Sequence, residues 1–395
     1  MPSHRQLFLE HMAQTSPFPL LLEVDHALGS WVYDSNGKAW LDLIAGISVS
    51  SLGHRHPAVV EAIHQQTDRY LHTMVYGEYI LAPQVELASL LTSQLPASLN
   101  QVYFVNSGSE ATEGAMKLAK RATGRSEIIA ARRAYHGSTQ GAASLMSPTD
   151  FTRPYYPLLP GISHLEFNCN WCLDRITEHT AAVIIETVQA ESGVCIPEKN
   201  YLKYLRARCS ETGTLLIFDE IQVGYGRTGS LFAFEQYGVI PDILLLAKGM
   251  GGGMPIGAFV APAEIMGALS NAPILGHITT FGGHPVCCAA GLATLQTLID
   301  TPEIINSVPE KEAMFRELLK HPKVKKIRSA GLLMAVDLDD NQRVMKVIQH
   351  CLDNGVITDW FLFNDRSLRI APPLTISQKE IRHACTVIQE ALDNC

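Results

Sequence analysis

No stretch of this 395-residue sequence is apolar over the ~18 consecutive residues that a membrane-spanning helix needs. The opening residues also lack the apolar core and the small-residue cleavage site of a secretory signal. There is no long basic run, and the net charge is -8, which disfavours binding to nucleic acid. Nine scattered cysteines are too few for a disulfide framework in a chain of this length. These absences predict a soluble, cytoplasmic protein whose partners are neither nucleic acids nor membranes.

What the sequence does contain is an ordinary globular composition, with 47% apolar and 18% charged residues. At ~150 residues per domain, the length predicts two or three domains. There is no internal repeat and no low-complexity tract. A chain of this size buries a large apolar core without covalent or metal staples, so we expect an enzyme-sized globular protein.

Short apolar runs alternate with longer helical stretches through the middle of the chain. Because the runs are apolar at every position rather than at alternate ones, we expect strands that are buried on both faces. The pattern predicts an α/β fold with a mostly parallel sheet covered by helices. The runs are residues 102–105, 128–131, 181–185, 215–218, 243–247 and 258–260.

The two ends of the chain have different patterns. Residues 34–37, Asp-Ser-Asn-Gly, contain an Asn-Gly pair typical of a tight hairpin between the apolar runs at 31–33 and 39–43. Near the other end, Ser377 and Glu380 have the spacing of a capping box, which predicts the start of a last amphipathic helix.

These patterns predict a division into domains. Neither end of the chain carries enough apolar residues for a core of its own, so we expect the two ends to combine. The prediction is a large α/β domain at residues 57–295 and a smaller α+β domain built from residues 1–56 and 296–395.

Ligands of open α/β sheets bind at the carboxyl ends of the strands, so the residues that follow each run are candidates for a site. After the first run, Ser107 and Glu110 have capping-box spacing, and a helix is expected to begin at Ser107. Gly108 and Ser109 would then offer free N–H groups, a hydroxyl and the positive end of the helix dipole to an anion such as phosphate. A plain helix cap explains the same residues equally well.

Two further runs end in charged residues, Asp219 and Lys248. A carboxylate at the end of a buried strand is unfavourable unless it meets a cation or a donor, and a buried lysine is desolvated and made nucleophilic. Taken alone, Asp219 could cap a helix and Lys248 could be a surface lysine. One strand–helix–strand unit separates them, so both side chains are expected at the same edge of the sheet.

A buried lysine, a buried carboxylate and an anion site along one edge match the needs of pyridoxal phosphate. This cofactor binds a lysine covalently, requires an acid beside its pyridine nitrogen and carries a phosphate. Its protonated ring withdraws electrons from the substrate. By keeping the ring protonated, the negative charge of Asp219 would contribute much of the electrostatic stabilisation of the transition state.

Several further motifs resemble those of the class III (omega) aminotransferases, which are fold-type-I pyridoxal phosphate enzymes, and above all those of the acetylornithine/ornithine group. Each motif is weak alone, but their number and order along nearly the whole chain make the resemblance specific. The motifs are residues 53–57, 106–111, 135–137, 186–193, 216–229, 241–242, 247–249, 280–283 and 369–373.

The resemblance implies catalytic roles for three residues. Lys248 would bind the cofactor covalently and later move the proton between Cα and C4′, and Asp219 would pair with the pyridinium nitrogen. Tyr135 would stack on the ring, beside His136, and Gln222 would hydrogen-bond the ring hydroxyl.

The resemblance also implies how the phosphate is held, with no metal ion. Ser107, Gly108 and Ser109 would bind it within one chain. Thr280 would reach the phosphate of the neighbouring subunit, which implies a homodimer with shared active sites.

For the substrates, the resemblance implies amino-group transfer from an ω-amine or amino-acid donor to a keto acid such as 2-oxoglutarate or pyruvate, in two steps. Arg369 would bind a substrate carboxylate, since its planar guanidinium matches a carboxylate with two parallel hydrogen bonds. Glu191 would cover Arg369 while an ω-amine is bound; alternatively, Glu191 is an ordinary surface carboxylate.

One motif departs from the family pattern. Related enzymes carry an arginine for the distal carboxylate of the substrate where this chain has Ser138. Arg132 or Arg133 could compensate, or both could be solvated, and Tyr76 is expected to line the substrate pocket. The sequence therefore leaves the particular amine open.

Other interpretations compete with an aminotransferase. A decarboxylase, racemase or lyase of the same fold shares the cofactor residues. A nicotinamide oxidoreductase needs Gly-x-Gly-x-x-Gly directly after the first strand, whereas the glycine-rich loop at 249–253 comes late. A catalytically inactive binding protein is disfavoured by the intact pair of Lys248 and Asp219. Cys169 and Cys172 have the spacing of a redox or zinc site, but a second cysteine pair is missing.

Overall fold

The computed structural model describes residues 2–147 and 149–395. In chain order the strands are β1 (His26–Leu28), β2 (Trp31–Tyr33), β3 (Ala39–Asp42), β4 (Gln101–Val105), β5 (Glu127–Ala131), β6 (Ile162–Leu165), β7 (Thr180–Glu186), β8 (Leu215–Asp219), β9 (Ile243–Leu246), β10 (Gly257–Ala261), β11 (Lys326–Ser329), β12 (Met334–Asp337), β13 (Val356–Ile357), β14 (Asp359–Phe361) and β15 (Asn364–Ile370).

The helices are numbered in the same way. They are α1 (His4–His11), α2 (Ala45–Ser48), α3 (Pro57–Arg69), α4 (Ala82–Ser93), α5 (Gly108–Thr123), α6 (Gln140–Ser144), α7 (Tyr201–Thr212), α8 (Ala263–Met266), α9 (Pro285–Asp300), α10 (Glu303–Asn306), α11 (Val308–Leu318), α12 (Asn341–Asp353) and α13 (Gln378–Asp393). Over the described ranges, none of the helices has the length and apolarity needed to cross a membrane.

The centre of the molecule is a seven-stranded sheet in the order β4-β10-β9-β8-β7-β5-β6. The five neighbouring strands β9, β8, β7, β5 and β6 pair in parallel. Strand β10 runs antiparallel to both of its neighbours, β4 and β9. Alternate residues of β7 enter separate cores, with Val183 and Ile185 in one and Ala182 and Ile184 in the other. The predicted mostly parallel sheet with both faces covered is therefore confirmed.

One strand of this sheet, β6, is absent from the predicted runs. Its four residues, Ile162–Leu165, include Ser163 and His164, and it lies at the sheet edge, where β5 is its one neighbour in the described part of the chain. A strand at an edge does not need to be apolar on both faces, so it lacks the continuous apolar signal of the central strands.

Helix α5 packs closely against β9 and β10 of the central sheet. At Gly114 a Cβ atom would come within 2.3 Å of the Phe259 ring, so only glycine permits this distance between helix and sheet. The close packing fixes the start of α5 next to the carboxyl ends of the parallel strands.

The two ends of the chain meet in a four-stranded sheet, β1-β2-β3-β13, in which β13 pairs in parallel with β3. The predicted hairpin at residues 34–37 connects β2 to β3, and the predicted capping box is formed by Ser377 and Glu380 at the start of α13. A second four-stranded sheet, β11-β12-β15-β14, lies nearer the C-terminus. The domain boundaries at residues 56 and 295 stay a prediction.

Candidate active site

The carboxyl ends of the parallel strands and the start of α5 enclose a cavity of about 400 Å³. Glu186 and Asp219, the last residues of β7 and β8, are direct partners in the sheet, and Lys248 follows β9. The sequence-predicted residues that line the cavity are Ser107, Gly108, Ser109, Tyr135, His136, Asp219, Gln222 and Lys248.

Lys248 contacts Gln222 at the floor of this cavity, with Nζ donating to Oε1 over 3.1 Å. The surrounding protein desolvates the ammonium group and lowers the pKa of Lys248, although the carboxylates of Glu191 and Asp219 act in the opposite direction. Its backbone lies in the left-handed region, with φ of 47°. Strained backbone of this kind in a non-glycine residue is concentrated at functional sites.

Asp219 is buried, and each of its carboxylate oxygens has one hydrogen-bond partner. One oxygen accepts from the backbone N–H of Ile221 over 2.9 Å, and the other lies 2.7 Å from Nδ1 of His136. Nε2 of His136 and Nε2 of Gln222 are buried without a hydrogen-bond partner among the described residues. Because buried polar atoms are normally paired, these unpartnered nitrogens indicate a ligand with polar groups.

The start of α5 forms the end of the cavity that is suited to an anion. Ser107 is the N-cap and accepts a hydrogen bond from the N–H of Glu110 over 3.2 Å, as predicted. The reciprocal bond differs from the prediction, because the Glu110 carboxylate binds the backbone and side chain of Asn106 instead. A Cβ atom at Gly108 would lie 2.8 Å from Cδ1 of Ile221, so a larger residue there would displace the Ile221 side chain, two residues after Asp219.

Glu186 lines the cavity and was given no role from its sequence. Its two carboxylate oxygens accept from the backbone N–H groups of Tyr135, over 3.1 Å, and Ala190, over 2.8 Å. Burial raises the pKa of Glu186 to about 7, and the neighbouring Asp219 acts in the same direction. A glutamate directly after a fully apolar run, as at residues 181–185, is the signal that identifies such a residue from sequence.

Arg369 and Glu191 form a buried ion pair with two parallel contacts of 2.8 and 2.9 Å. The relative exposures of Arg369 and Glu191 are 2% and 4%, so Glu191 is not a surface carboxylate. The pair does not line the cavity directly, but both charges act on Lys248.

Besides Arg369 and Glu191, two more predicted site residues lie outside the cavity within one chain. Tyr76 lines separate clefts together with Tyr103, and Thr280 is exposed at the surface. Ser138 lies near the cavity, with its hydroxyl 2.8 Å from that of Tyr135.

Neither arginine considered as a substitute for the missing one lines the cavity. Arg132 forms an ion pair with Glu166, and the side chain of Arg133 is exposed with no hydrogen-bond partner in the described ranges. Cys169 and Cys172 form a disulfide within a short turn. No metal-binding group of three or more His, Cys, Asp or Glu side chains occurs in residues 2–147 and 149–395.

Comparisons with known proteins agree with this geometry. The family model for class III aminotransferases matches residues 12–392. The acetylornithine aminotransferase of Methanopyrus kandleri is 40% identical over 387 residues, which cover 97% of this chain and 96% of that protein. The putrescine aminotransferase of Pectobacterium atrosepticum is 38% identical over 383 residues, which cover 91% and 79% of the two chains.

A solved structure extends the likeness to the fold. The ornithine aminotransferase of Toxoplasma gondii matches 98% of this chain and 93% of its own, with a TM-score of 0.91 and 30% identity. The family match spans the sheet edge, the lysine and the arginine described above. The chain therefore belongs to the class III aminotransferases and has their fold-type-I architecture.

Proposed function

We propose that this aminotransferase moves an amino group from an ω-amine or amino-acid donor to a 2-oxo acid such as 2-oxoglutarate or pyruvate, in two successive half-reactions. Class III aminotransferases use pyridoxal 5'-phosphate, and the Toxoplasma gondii structure carries it. The observation that carries the proposal is the convergence of Lys248, Asp219 and Gln222 on one cavity that ends at the start of α5.

The residues of the cavity fit this cofactor. The unpartnered Nε2 of Gln222 supplies a donor for a ring hydroxyl, and the N–H groups at Gly108 and Ser109 face the phosphate end. Asp219 supplies the carboxylate that a pyridinium nitrogen requires. When bound, the cofactor accepts the amino group and stabilises the negative charge that develops at Cα of the substrate.

The chain's own side chains perform the proton movements. The lowered pKa of Lys248 increases the fraction of neutral amine at Nζ, which would take the proton from Cα of the substrate and deliver it to C4′ of the cofactor. His136 and the N–H of Ile221 hold the Asp219 carboxylate in place, so its negative charge would keep a proton on the ring nitrogen of the bound cofactor. Tyr135 would cover one face of the ring, and its backbone N–H is held by Glu186.

For the donor, we propose an amine whose far end is not a carboxylate, such as a diamine. Ser138 supplies no charge, Arg132 is paired with Glu166, and Arg133 does not line the cavity. A distal carboxylate would therefore lack a cation, which is unfavourable in a partly buried site. A relative named putrescine aminotransferase is consistent with this class of donor.

For the acceptor, we propose that Arg369 binds the keto-acid carboxylate after Glu191 has moved away. While the donor is bound, Glu191 stays paired with Arg369, so that an uncharged or cationic part of the donor does not meet the free guanidinium. A carboxylate from the acceptor then replaces that of Glu191 in the same bidentate geometry.

We propose a homodimer in which Thr280 acts in the neighbouring subunit. This assembly is supported by the exposed apolar side chains around Thr280, with Ile278 50% and Phe281 54% exposed. Light scattering should give twice the mass of 43.3 kDa, and a fully active monomer would contradict the proposal. The cytoplasmic location stays a prediction from the sequence.

The decisive experiment is the first half-reaction alone. Cofactor-loaded protein is mixed with diamines, 4-aminobutyrate, acetylornithine and α-amino acids, without a keto acid, while the cofactor absorbance is followed. We expect diamines to convert the cofactor from its aldehyde to its amine form. Release of CO₂ or racemisation of a donor, without that conversion, would show a different reaction on the same fold.

A further inference from the structure

The Glu191 carboxylate has a third hydrogen-bond donor besides the two guanidinium nitrogens of Arg369. The backbone N–H of Leu362 donates to Oε2 of Glu191 over 3.0 Å, and Nη2 of Arg369 donates to the same oxygen over 2.9 Å. Nη1 of Arg369 donates to the other oxygen over 2.8 Å. Leu362 is the first of the two residues that connect β14 to β15. The turn between these strands is therefore part of the site that holds this carboxylate.

The turn is held by contacts that do not depend on the Glu191 carboxylate. The N–H of Phe363, the second turn residue, donates to the backbone carbonyl of Glu191 over 3.0 Å. On the two sides of the turn, Phe361 and Asn364 are direct partners in the sheet. Because neither contact involves the carboxylate, rotation of the Glu191 side chain leaves the N–H of Leu362 where it is.

The guanidinium of Arg369 is likewise held by β14. The carbonyl of Trp360 accepts from Nη2 over 2.8 Å, and the ring centre of Phe361 lies 4.5 Å from the guanidinium carbon. Oδ1 of Asp359 lies 3.0 Å from Nε. Since Glu191 is bound to the same guanidinium, the site accepts a carboxylate even beside Asp359. The guanidinium and the turn therefore form a preorganised group of three donors for a carboxylate.

Departure of the Glu191 carboxylate leaves the N–H of Leu362 without a partner. Within residues 2–147 and 149–395, that carboxylate is the only hydrogen-bond acceptor of this N–H. A partly buried backbone N–H that loses its acceptor is unfavourable. All carboxylates have the same separation of their two oxygens, so one that forms both bonds with Arg369 brings an oxygen to the former position of Oε2. That oxygen lies within reach of the Leu362 N–H.

We propose that the backbone N–H of Leu362 is a further substrate-binding group, which donates a hydrogen bond to the carboxylate of the keto-acid acceptor. The inference rests on the proposed function, in which the acceptor carboxylate replaces that of Glu191 on Arg369. Glu191 and the acceptor then compete for one site with three donors. Because the acceptor restores the hydrogen bond that Leu362 loses when Glu191 leaves, the exchange leaves none of the three donors unpaired.

The first test observes this N–H directly by NMR. Leu follows Phe only at residues 8–9 and 361–362, so protein with ¹³C-carbonyl Phe and ¹⁵N Leu gives two carbon-filtered amide signals, from Leu9 and Leu362. The Glu191→Ala holoenzyme is titrated with propionate, a carboxylate without a keto group. We expect the amide proton of Leu362 to shift downfield towards its wild-type position as propionate binds, while that of Leu9, in α1, does not move. An unmoved Leu362 signal at saturation would overturn the inference.

The second test removes the N–H. Pro has no N–H and is favoured at the first central position of a two-residue turn with negative φ at both residues, as found at Leu362 and Phe363. In the Glu191→Ala background, Leu362→Pro should weaken propionate binding roughly tenfold, as measured by calorimetry. Leu362→Ala is the matched control, because it removes the side chain but keeps the N–H, and it should retain the binding. Equal dissociation constants with and without Leu362→Pro would contradict the proposal.

The alternative is that the N–H serves Glu191 alone and only holds it on Arg369. Leu362→Pro as a single substitution would then tighten propionate binding, because Glu191 would compete less well. The same substitution would have no effect in the Glu191→Ala background. That combination of results would overturn the inference.

A further variant separates failure of this inference from failure of the proposed function. Glu191→Ala/Arg369→Gln lacks the guanidinium and should not bind propionate. If Glu191→Ala binds no propionate, or if binding persists without Arg369, the acceptor role of Arg369 is refuted and the inference falls with it. If propionate binds through Arg369 but the NMR signal and the proline variant show no contact, only the role of Leu362 is refuted.

Discussion

Glu186 and Asp219 end neighbouring parallel strands as direct partners in the sheet, so that two carboxylates lie side by side at the cavity. Asp219 is held by His136 and by a backbone N–H, whereas Glu186 receives only backbone N–H donors. Burial, and to a smaller extent the like charge of Asp219, raises the pKa of Glu186 to about 7. Because Glu186 lines the cavity and has a raised pKa, its ionisation affects both the free energy of unfolding and the charge of the site.

The first prediction concerns this raised pKa. The pKa of Glu186 is about 7 in the folded chain and near 4.5 when the chain is unfolded, so its favourable contribution to the free energy of unfolding is complete below pH 4.5 and is lost as the pH rises through 7. The Gln side chain of Glu186→Gln cannot ionise, so this variant should not lose stability in this way. In the wild type, the free energy of unfolding should fall by at most roughly 1.4 kcal/mol per pH unit between the two pKa values. Urea unfolding of both proteins at pH 5 and 7.5 measures the difference.

The Gln side chain also replaces one acceptor by a donor, which leaves the N–H of Tyr135 or Ala190 without a partner. We therefore expect the variant to be less stable than the wild type at pH 5, by about 1–3 kcal/mol, with the gap narrowing at pH 7.5. Parallel stability profiles for the two proteins would contradict the raised pKa of Glu186.

The second prediction concerns Lys248. Lys248→Ala removes the amine that moves the proton, and loss of proton transfer alone should lower the rate by roughly 10²–10⁴-fold. The fold should persist, since Gln222 is the only hydrogen-bond partner of Nζ within residues 2–147 and 149–395. Single-turnover mixing with an amine donor, with circular dichroism as the test of folding, measures both quantities.

An exposed lysine gives the matched control for this variant. Lys38→Ala, in the loop between β2 and β3, should leave the half-reaction rate unchanged. Substantial amino-group transfer by Lys248→Ala would refute the role of Lys248.

The third prediction separates electrostatics from anchoring at Asp219. Asp219→Asn keeps the size of the side chain and an oxygen for the N–H of Ile221, but loses the charge. Removal of one such stabilising group should lower kcat roughly 10²–10³-fold, with a much smaller change in cofactor affinity. Steady-state kinetics and an equilibrium titration of the cofactor measure the two effects. Loss of affinity without loss of rate would make Asp219 only an anchor.

Much of the fold and of the site could be predicted because the relevant signals are local. Strands covered on both faces are apolar at every position, so β7, β8 and β9 were identified from sequence. A charged residue directly after such a run has to lie at the carboxyl edge of the sheet. Asp219 and Lys248 were placed together for that reason.

The features that sequence did not reveal depend on distant parts of the chain. Asp359 faces Arg369 only through the register of two antiparallel strands, and that register is set by their turn and packing rather than by either residue. The pairing of Glu186 with Tyr135 joins residues that are far apart in sequence.

The last prediction concerns Ser138 and the class of the donor. Ser138 is exposed near the cavity. In the described ranges, the Tyr135 hydroxyl is the only side-chain group that forms a hydrogen bond with the Ser138 hydroxyl. Ser138→Arg adds a planar cation where related enzymes carry one, and a charge-assisted pair with a donor carboxylate contributes about 1.5–3 kcal/mol. We expect kcat/KM for 4-aminobutyrate or acetylornithine to rise at least roughly tenfold, and that for diamines to fall through repulsion of their second ammonium group. Ser138→Met is the matched control, because it removes the hydroxyl and adds length without charge; it should not improve the carboxylate-bearing donors. If the wild type has the same kcat/KM for carboxylate-bearing donors as for diamines, another residue supplies the missing cation and the proposed donor class is wrong.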